Sequence, residues 1–400
     1  MREDAAPFDG PSRPRPFDAV LADIERAGLR LNRSWPRSPE HLLLELADPA
    51  GHPEARQHAH PGEISDIYPE GAPGVAAGED GAGTTAAQWI ADPDRAGRVT
   101  AGTPGAWRVG RLVGQPAGAD RKLPALAGLL AREGHQLVAH RPERRAVVRG
   151  PEDYIKVVRP DRLETLVSCT RAAAELPIRT PRVRRIDAPE AAIEISTLPG
   201  VRLHDLLEGD RATQACRETG RMLARLHRLP VPDGAVEHGP DAELAVLRRW
   251  QDHARVWGLS GEPDVGGGDA ADESVAASAS PSVSPSVSLP PPDRWCLLHR
   301  DLHDKQVLLD DDGTAGLLDF DLLAVGDPAL DLANLLVHLW LRARQGLLVD
   351  PEPLQQAVLD GYRPTAAVRS RLDGYAQVAR LRLGAVYAFR SGTRQPVRLA

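Results

Sequence analysis

Residues 297–321, LLHRDLHDKQVLLDDDGTAGLLDFD, hold a His-Arg-Asp triplet, a Gln five positions after its Asp, and an Asp-Phe-Asp that begins eighteen positions after it. A carboxylate at a loop tip, Asp301, can accept a proton from a hydroxyl. The side-chain amide oxygen of Gln306 can ligate a hard cation, and Asp319, beyond the next hairpin, can complete the metal's oxygen set. These are the parts that phosphoryl transfer needs: a residue to orient the attacking hydroxyl and a cation to neutralise phosphate charge. Most loop Asp residues are simply solvated. Here apolar strand segments adjoin both carboxylates, which favours the chemical reading.

The kinase pattern His-Arg-Asp-Leu-x-x-x-Asn followed by Asp-Phe-Gly is matched at His299, Arg300, Asp301 and Leu302, and again at Asp319 and Phe320. Two positions depart: Gln306 stands for Asn, one methylene longer, and Asp321 stands for Gly. The segment resembles the aminoglycoside phosphotransferase and choline kinase branch of the kinase-like superfamily. GDPALDLANLL at 326–336 and GRMLARLHRLP at 220–230 are similar to flanking elements of that branch, and the resemblance covers about 120–390.

The resemblance implies roles residue by residue. Asp301 is the base or hydroxyl-orienting residue, Gln306 and Asp319 are Mg²⁺ ligands, and His299 is a structural member of the loop. Lys156, on a strand, holds the α- and β-phosphates of ATP or GTP, with Glu164 as its expected helix partner and Glu175 as the alternative. Lys305 either offsets charge on the transferred phosphoryl group or pairs with Asp304. Asp327 and Asp331 cap a helix and brace the loop. No Gly-x-Gly-x-x-Gly precedes Lys156 and no Ala-Pro-Glu follows Asp319, which argues against a protein kinase.

Lysine usage sharpens the case for Lys156 and Lys305. Of 49 basic residues only three are lysines, the third being Lys122, so a retained Lys marks a candidate need for a compact point charge.

The elements that must position these residues are legible by period and punctuation. HQLVAHRP, RRAVVRG and DYIKVVRP read as three antiparallel strands ending at Lys156, preceded by an amphipathic helix in DRKLPALAGLLARE capped by Asp120. A helix follows from Asp161 as N-cap, then a strand in AAIEISTLPG, and after it mostly helices. The expected fold is α+β, a bilobal protein-kinase-like fold with a β-rich N-lobe (119–198) and an α-rich C-lobe (199–400). Residues 18–118 form a small N-terminal α+β module of unknown role, with short strands expected in TAAQWIADPDRAGRV and AWRVGRLVG. The Pro-rich tail 1–17 and the Ser/Ala/Pro/Gly-rich insertion 259–292 lack the apolar content to fold. The Gly/Ala-rich stretch 71–86 lacks the Gly-Lys-Ser/Thr of a phosphate loop.

Composition excludes other classes. A formal charge of −7 without a basic block argues against nucleic-acid binding. Cys169, Cys216 and Cys296 are widely spaced, which gives neither a disulfide framework nor a zinc ribbon. No apolar run is long enough for a membrane span, so a cytoplasmic protein is expected. His299-x-Asp301-x-His303 and HAHP at 58–61 could each begin a metal cluster, but neither has an accompanying ligand set. The reading is a Mg²⁺- and ATP- or GTP-dependent kinase of an aminoglycoside, sugar or amino-alcohol hydroxyl. The alternative is a nucleotide-binding pseudokinase or scaffold, in which Gln306 and Asp321 mark lost catalysis.

Overall fold

The computed structural model describes residues 15–47, 84–232, 234–259 and 287–390. Residues 1–14 of the expected tail, 71–83, HAHP at 58–61 and 260–286 of the expected insertion lie outside the described residues, whereas Pro16 and Phe17, expected in the tail, open a helix because Phe17 has a core to enter. Val287 and Leu289, at the far end of the expected insertion, pack into the largest core.

The N-terminal module comprises α1 (Pro16–Arg26), β1 (Arg30–Ser38), β2 (His41–Ala47), β3 (Thr84–Ile90), α2 (Pro93–Ala101), β4 (Trp107–Val109) and β5 (Leu112–Gln115). Its strands form an antiparallel sheet in the order β1-β2-β3-β5-β4. The segment PDRAGRV is helix rather than strand, because Asp92 accepts the backbone N–H groups of Asp94 and Arg95 and Pro93 opens the first turn. The apolar face of this module, including Phe17, Leu44 and Trp89, is buried together with Trp257 and Phe389 from the far end of the chain. Ser34 fastens the junction, its N–H and its hydroxyl both donating to Phe389 O at 2.9 and 2.7 Å.

The second group comprises α3 (Ala125–Leu130), β6 (Gln136–Arg141), β7 (Arg145–Arg149), β8 (Asp153–Val158), α4 (Leu163–Ala174), β9 (Val183–Asp187) and β10 (Ala192–Ser196). The sheet is antiparallel in the order β6-β7-β8-β10-β9. Period-two alternation gives it two buried faces. Val148, Ile155 and Val157 pack on Leu126 and Leu129 near α3, whereas Val147, Tyr154 and Val158 pack on Leu166 of α4. Lys156 therefore projects on the α4 face. Two expected caps are not made. The helix α3 is short and Asp120 turns away to His140 Nε2 and Glu143 N, while Asp161 sits in a 3-10 turn and pairs with Arg159.

The third group is mainly helical: β11 (Val201–Arg202), α5 (Leu203–Leu206), α6 (Ala212–Leu226), β12 (Glu237–His238), α7 (Pro240–Val256), β13 (Cys296–Leu298), β14 (Val307–Leu309), β15 (Ala315–Leu317), β16 (Ala324–Gly326), α8 (Pro328–Arg344), α9 (Glu352–Tyr362) and α10 (Ala366–Tyr387). Its strands form two three-stranded sheets, β11-β14-β15 and β12-β16-β13. Helix α8 is buried on nearly every side and anchors the core. The architecture is α+β with a β-rich N-lobe and an α-rich C-lobe, as the sequence led us to expect.

Candidate active site

The loop between β13 and β14 carries His299, Asp301, Lys305 and Gln306, and all four are buried. It is held from below by α8. Asp331 Oδ2 accepts the N–H of His299 and its Oδ1 accepts the N–H of Arg300, both at 2.7 Å. Asn334 Nδ2 donates to Arg300 O at 3.2 Å. Arg300 is thereby fixed at a φ of +70° and Asp319 stands at +59°, the left-handed region that costs a non-Gly residue about 1–3 kcal/mol. Burial alone would raise the Asp331 carboxyl, but His227 and His299 outweigh it and hold it below the usual carboxylate range.

His299 joins this loop to the next. Its Nε2 donates to Leu318 O at 2.6 Å, and its Nδ1 faces the N–H of Asp301 at 3.3 Å, so the network assigns the Nε2–H tautomer. Leu318 N in turn donates to Gln306 O at 2.9 Å. Two residues of the first loop thus clasp the residue just before Asp319. The β14–β15 hairpin sets that meeting, closing through Gly313 at a φ of +77°.

Lys156 crosses from the N-lobe sheet into this region. Its Nζ donates to Asp319 Oδ1 at 2.7 Å and to Asp321 Oδ1 at 2.6 Å. Arg145 Nη1 donates to Asp321 Oδ2 at 3.1 Å. Burial opposes the charge on Lys156, yet the two carboxylates prevail and raise its pKa. Burial likewise opposes ionisation of Asp319, but Lys156 and then Arg145 hold its carboxyl down. Burial and the neighbouring Asp319 push the Asp321 carboxyl up.

Glu164 and Glu175, the expected partners of Lys156, are exposed at the two ends of α4, and the ammonium is held by Asp319 and Asp321 instead. The helix axis carries Glu164 outward in the first turn and turns Leu166 and Ala173 inward. Asp327 caps α8 by accepting Ala329 N at 2.9 Å and pairs with Arg371 Nε at 2.6 Å. Asp304 points into the core, where Arg342 grips it through Nε and Nη2 at 2.8 and 2.9 Å and His204 Nδ1 meets it at 2.6 Å. Of the three lysines, Lys156 and Lys305 are buried at the site and Lys122 is exposed. Arg145 and the His227–Asp331 contact were not singled out from the sequence. The period-two spacing of RRAVVRG is the signal for Arg145, but it needs the strand register to be useful.

Gln306 and Asp319 are the residues that could hold a magnesium ion. Gln306 Oε1 is buried and accepts no hydrogen bond from the described residues. Among the described residues no three His, Cys, Asp or Glu side chains converge on one point. Mg²⁺ asks for less than that: one or two protein oxygens, with phosphates and water supplying the rest. A cleft of about 360 Å³ between α3 and β10, lined by Leu129, Arg132 and Ile155, opens on the other face of the sheet from Lys156 and belongs to none of this chemistry.

The sequence profile of the phosphotransferase enzyme family (APH) matches residues 114–375. The chain belongs to that family. The family segment begins in β5 and includes every residue of the site, while most of the N-terminal module precedes it. Among solved structures the chain is similar to the aminoglycoside phosphotransferase APH(3'')-Id from Streptomyces rimosus, with 20% identity over 66% of this chain and 96% of that one and a TM-score of 0.44. A choline/ethanolamine kinase family protein from Mesorhizobium loti shares 15% identity over 66% of this chain and 80% of its own, with a TM-score of 0.41. A macrolide 2'-phosphotransferase from Brachybacterium faecium shares 18% over 68% and 98%, with a TM-score of 0.40. A search of curated proteins finds no significant match. Among the described residues no helix is long and apolar enough to cross a membrane.

Proposed function

We propose that this phosphotransferase moves the γ-phosphoryl group of ATP or GTP to a hydroxyl of a small polar acceptor: an aminoglycoside, another sugar or an amino-alcohol. One observation carries the reading. Lys156 of the N-lobe and Asp319 of the C-lobe, 163 positions apart, meet at 2.7 Å, beside the loop that carries Asp301 and Gln306. Such a meeting puts fixed charges where the two lobes join, which is where a nucleotide's phosphates would lie.

In this reading Lys156 binds the α- and β-phosphates and Asp301 orients the acceptor hydroxyl and takes its proton. Gln306 and Asp319 hold Mg²⁺, which when bound neutralises charge on the phosphates. Lys305, buried in the same loop, adds positive charge near the transferred group. His299 and Asp331 fix the loop backbone and Asp327 caps the helix that carries Asp331, so that Asp301 is oriented before substrate arrives.

The test is thermal stability with Mg²⁺ and each nucleotide. A nucleotide at a hundred times its Kd stabilises by about 2.7 kcal/mol. The expected result is a Mg²⁺-dependent rise in Tm that Asp319→Asn and Lys156→Ala abolish, followed by phosphorylation of one acceptor class in a screen. No rise with either nucleotide overturns the reading. A rise without turnover on any acceptor identifies a nucleotide-binding scaffold.

A further inference from the structure

Helix α4 brings no carboxylate to Lys156. Its first-turn Glu164 is exposed, and the α4 side chain close enough to interact electrostatically with Lys156 and Asp321 is that of Cys169. The carboxylate at the ammonium comes from the opposite lobe. Asp321 Oδ1 lies 2.6 Å from Lys156 Nζ, and Asp321 Oδ2 is engaged by Arg145. In the sheet Lys156 stands opposite Val147 and Arg145 opposite Val158, so Arg145 and Lys156 lie on one face and reach the same carboxylate.

We propose that Asp321 is the positioning residue for Lys156, anchoring the ammonium from the C-lobe as a helix carboxylate does in the kinase pattern, with Arg145 fixing its second oxygen. The proposal rests on the reading of Lys156 as the phosphate-binding residue. An ammonium has three donors, and with one on each Asp a third is left for a phosphate oxygen. An anchor distinct from Asp319 keeps the lysine oriented when Asp319 is engaged elsewhere. The position where the kinase pattern has Gly thus bears a working side chain rather than a lesion.

The decisive experiment is calorimetric titration of the full-length chain with ATP and with GTP, in chelator and again with Mg²⁺. Wild type, Asp321→Gly, Asp321→Glu and the double variant Asp321→Gly/Cys169→Glu are compared. Asp321→Gly should weaken binding of the nucleotide that wild type takes by roughly tenfold with or without Mg²⁺, the loss of one charge-assisted hydrogen bond. Cys169→Glu supplies a carboxylate from α4 and should recover most of the affinity. Unchanged or tighter binding by Asp321→Gly overturns the proposal, since Asp321 would then be idle or competing with phosphate. A loss confined to the Mg²⁺ titration assigns Asp321 to the cation and also overturns it. A loss in chelator that neither Asp321→Glu nor Cys169→Glu recovers means a merely structural role and likewise overturns it. Failure of the wild type to bind either nucleotide overturns both this proposal and the functional reading, whereas wild-type binding with an unaffected Asp321→Gly overturns this one alone.

Discussion

Asp331 Oδ1 accepts the N–H of Arg300 at 2.7 Å, so a helix carboxylate holds a strained loop residue next to the candidate base Asp301. Its Oδ2 accepts the N–H of His299 as well, and His227 Nε2 lies 3.3 Å away. Asp331→Ala leaves those buried donors without an acceptor. We expect a loss of about 3 kcal/mol in urea denaturation, together with loss of nucleotide-dependent stabilisation. Asp331→Asn keeps one acceptor oxygen and should fall between. Full stability of the Ala variant would mean that water replaces the brace.

The His227 that supports Asp331 follows directly on α6, and its Nδ1 meets Tyr362 Oη of α9 at 2.8 Å. These two helices approach through Gly220 and Gly361. A Cβ on Gly220 would stand 2.1 Å from Val358 O, and one on Gly361 would stand 2.0 Å from Arg217 O. Both contacts are with backbone, so the helices must separate to accept a methyl group. Gly220→Ala is expected to lower stability by about 1–3 kcal/mol despite alanine's better helix propensity. It should also weaken nucleotide binding by shifting His227. Thermal melts of Gly220→Ala and Gly361→Ala, with and without nucleotide, check both effects.

How much of this could be read from the sequence depends on the range of each interaction. The loop from His299 to Gln306 and the hairpin to Asp319 were legible because their parts are close in sequence and fixed by an Asp-Gly turn. Lys156 stood out through the scarcity of lysine. Its partner did not, because whether a helix carboxylate faces a strand lysine depends on the helix's rotation, and α4 begins only after the 3-10 turn at Pro160–Arg162, with Glu164 in its exposed first turn. Asp321 read as a departure from a pattern, and its contact with Arg145 spans 176 positions. The N-terminal module was legible as α+β but its shared core was not, since Phe17 meets Phe389, ring to ring at 6.1 Å, only in the folded chain.

Gln306 offers a test that separates binding from folding. Its Oε1 accepts no hydrogen bond from the described residues, so Gln306→Ala removes an oxygen donor without orphaning a hydrogen-bond donor. The expected cost is an apparent Mg²⁺ affinity, read from the nucleotide-dependent Tm shift, that falls roughly tenfold or more. Stability without ligand should change by less than in the Asp331 variants. Gln306→Asn shortens the side chain by one methylene in a loop shaped for Gln and should recover only part of the affinity. Equal Mg²⁺ dependence in wild type and Gln306→Ala would remove Gln306 from the metal site.

Glu143 gives the pH prediction. It is almost wholly buried at the junction of the N-terminal module and the N-lobe, where Arg37 Nη1 donates to Oε2 at 2.5 Å and Arg121 Nε donates to Oε1 at 2.6 Å. Burial alone would raise its carboxyl, but the two guanidinium groups outweigh burial and lower it. A carboxyl whose folded pKa is depressed contributes stability that is complete above its unfolded value, about 4.3, and disappears as pH falls through the folded value. Glu143→Gln removes that contribution at every pH. Wild type should therefore be the more stable by about 1–3 kcal/mol at pH 7, a range that allows for the part-exposed arginines. The gap should narrow steadily below about pH 4 as the wild-type carboxyl takes up its proton. Urea midpoints of both chains from pH 7 to pH 3 measure this directly. A gap that stays constant across the range would mean that Glu143 holds the junction by packing and not by charge.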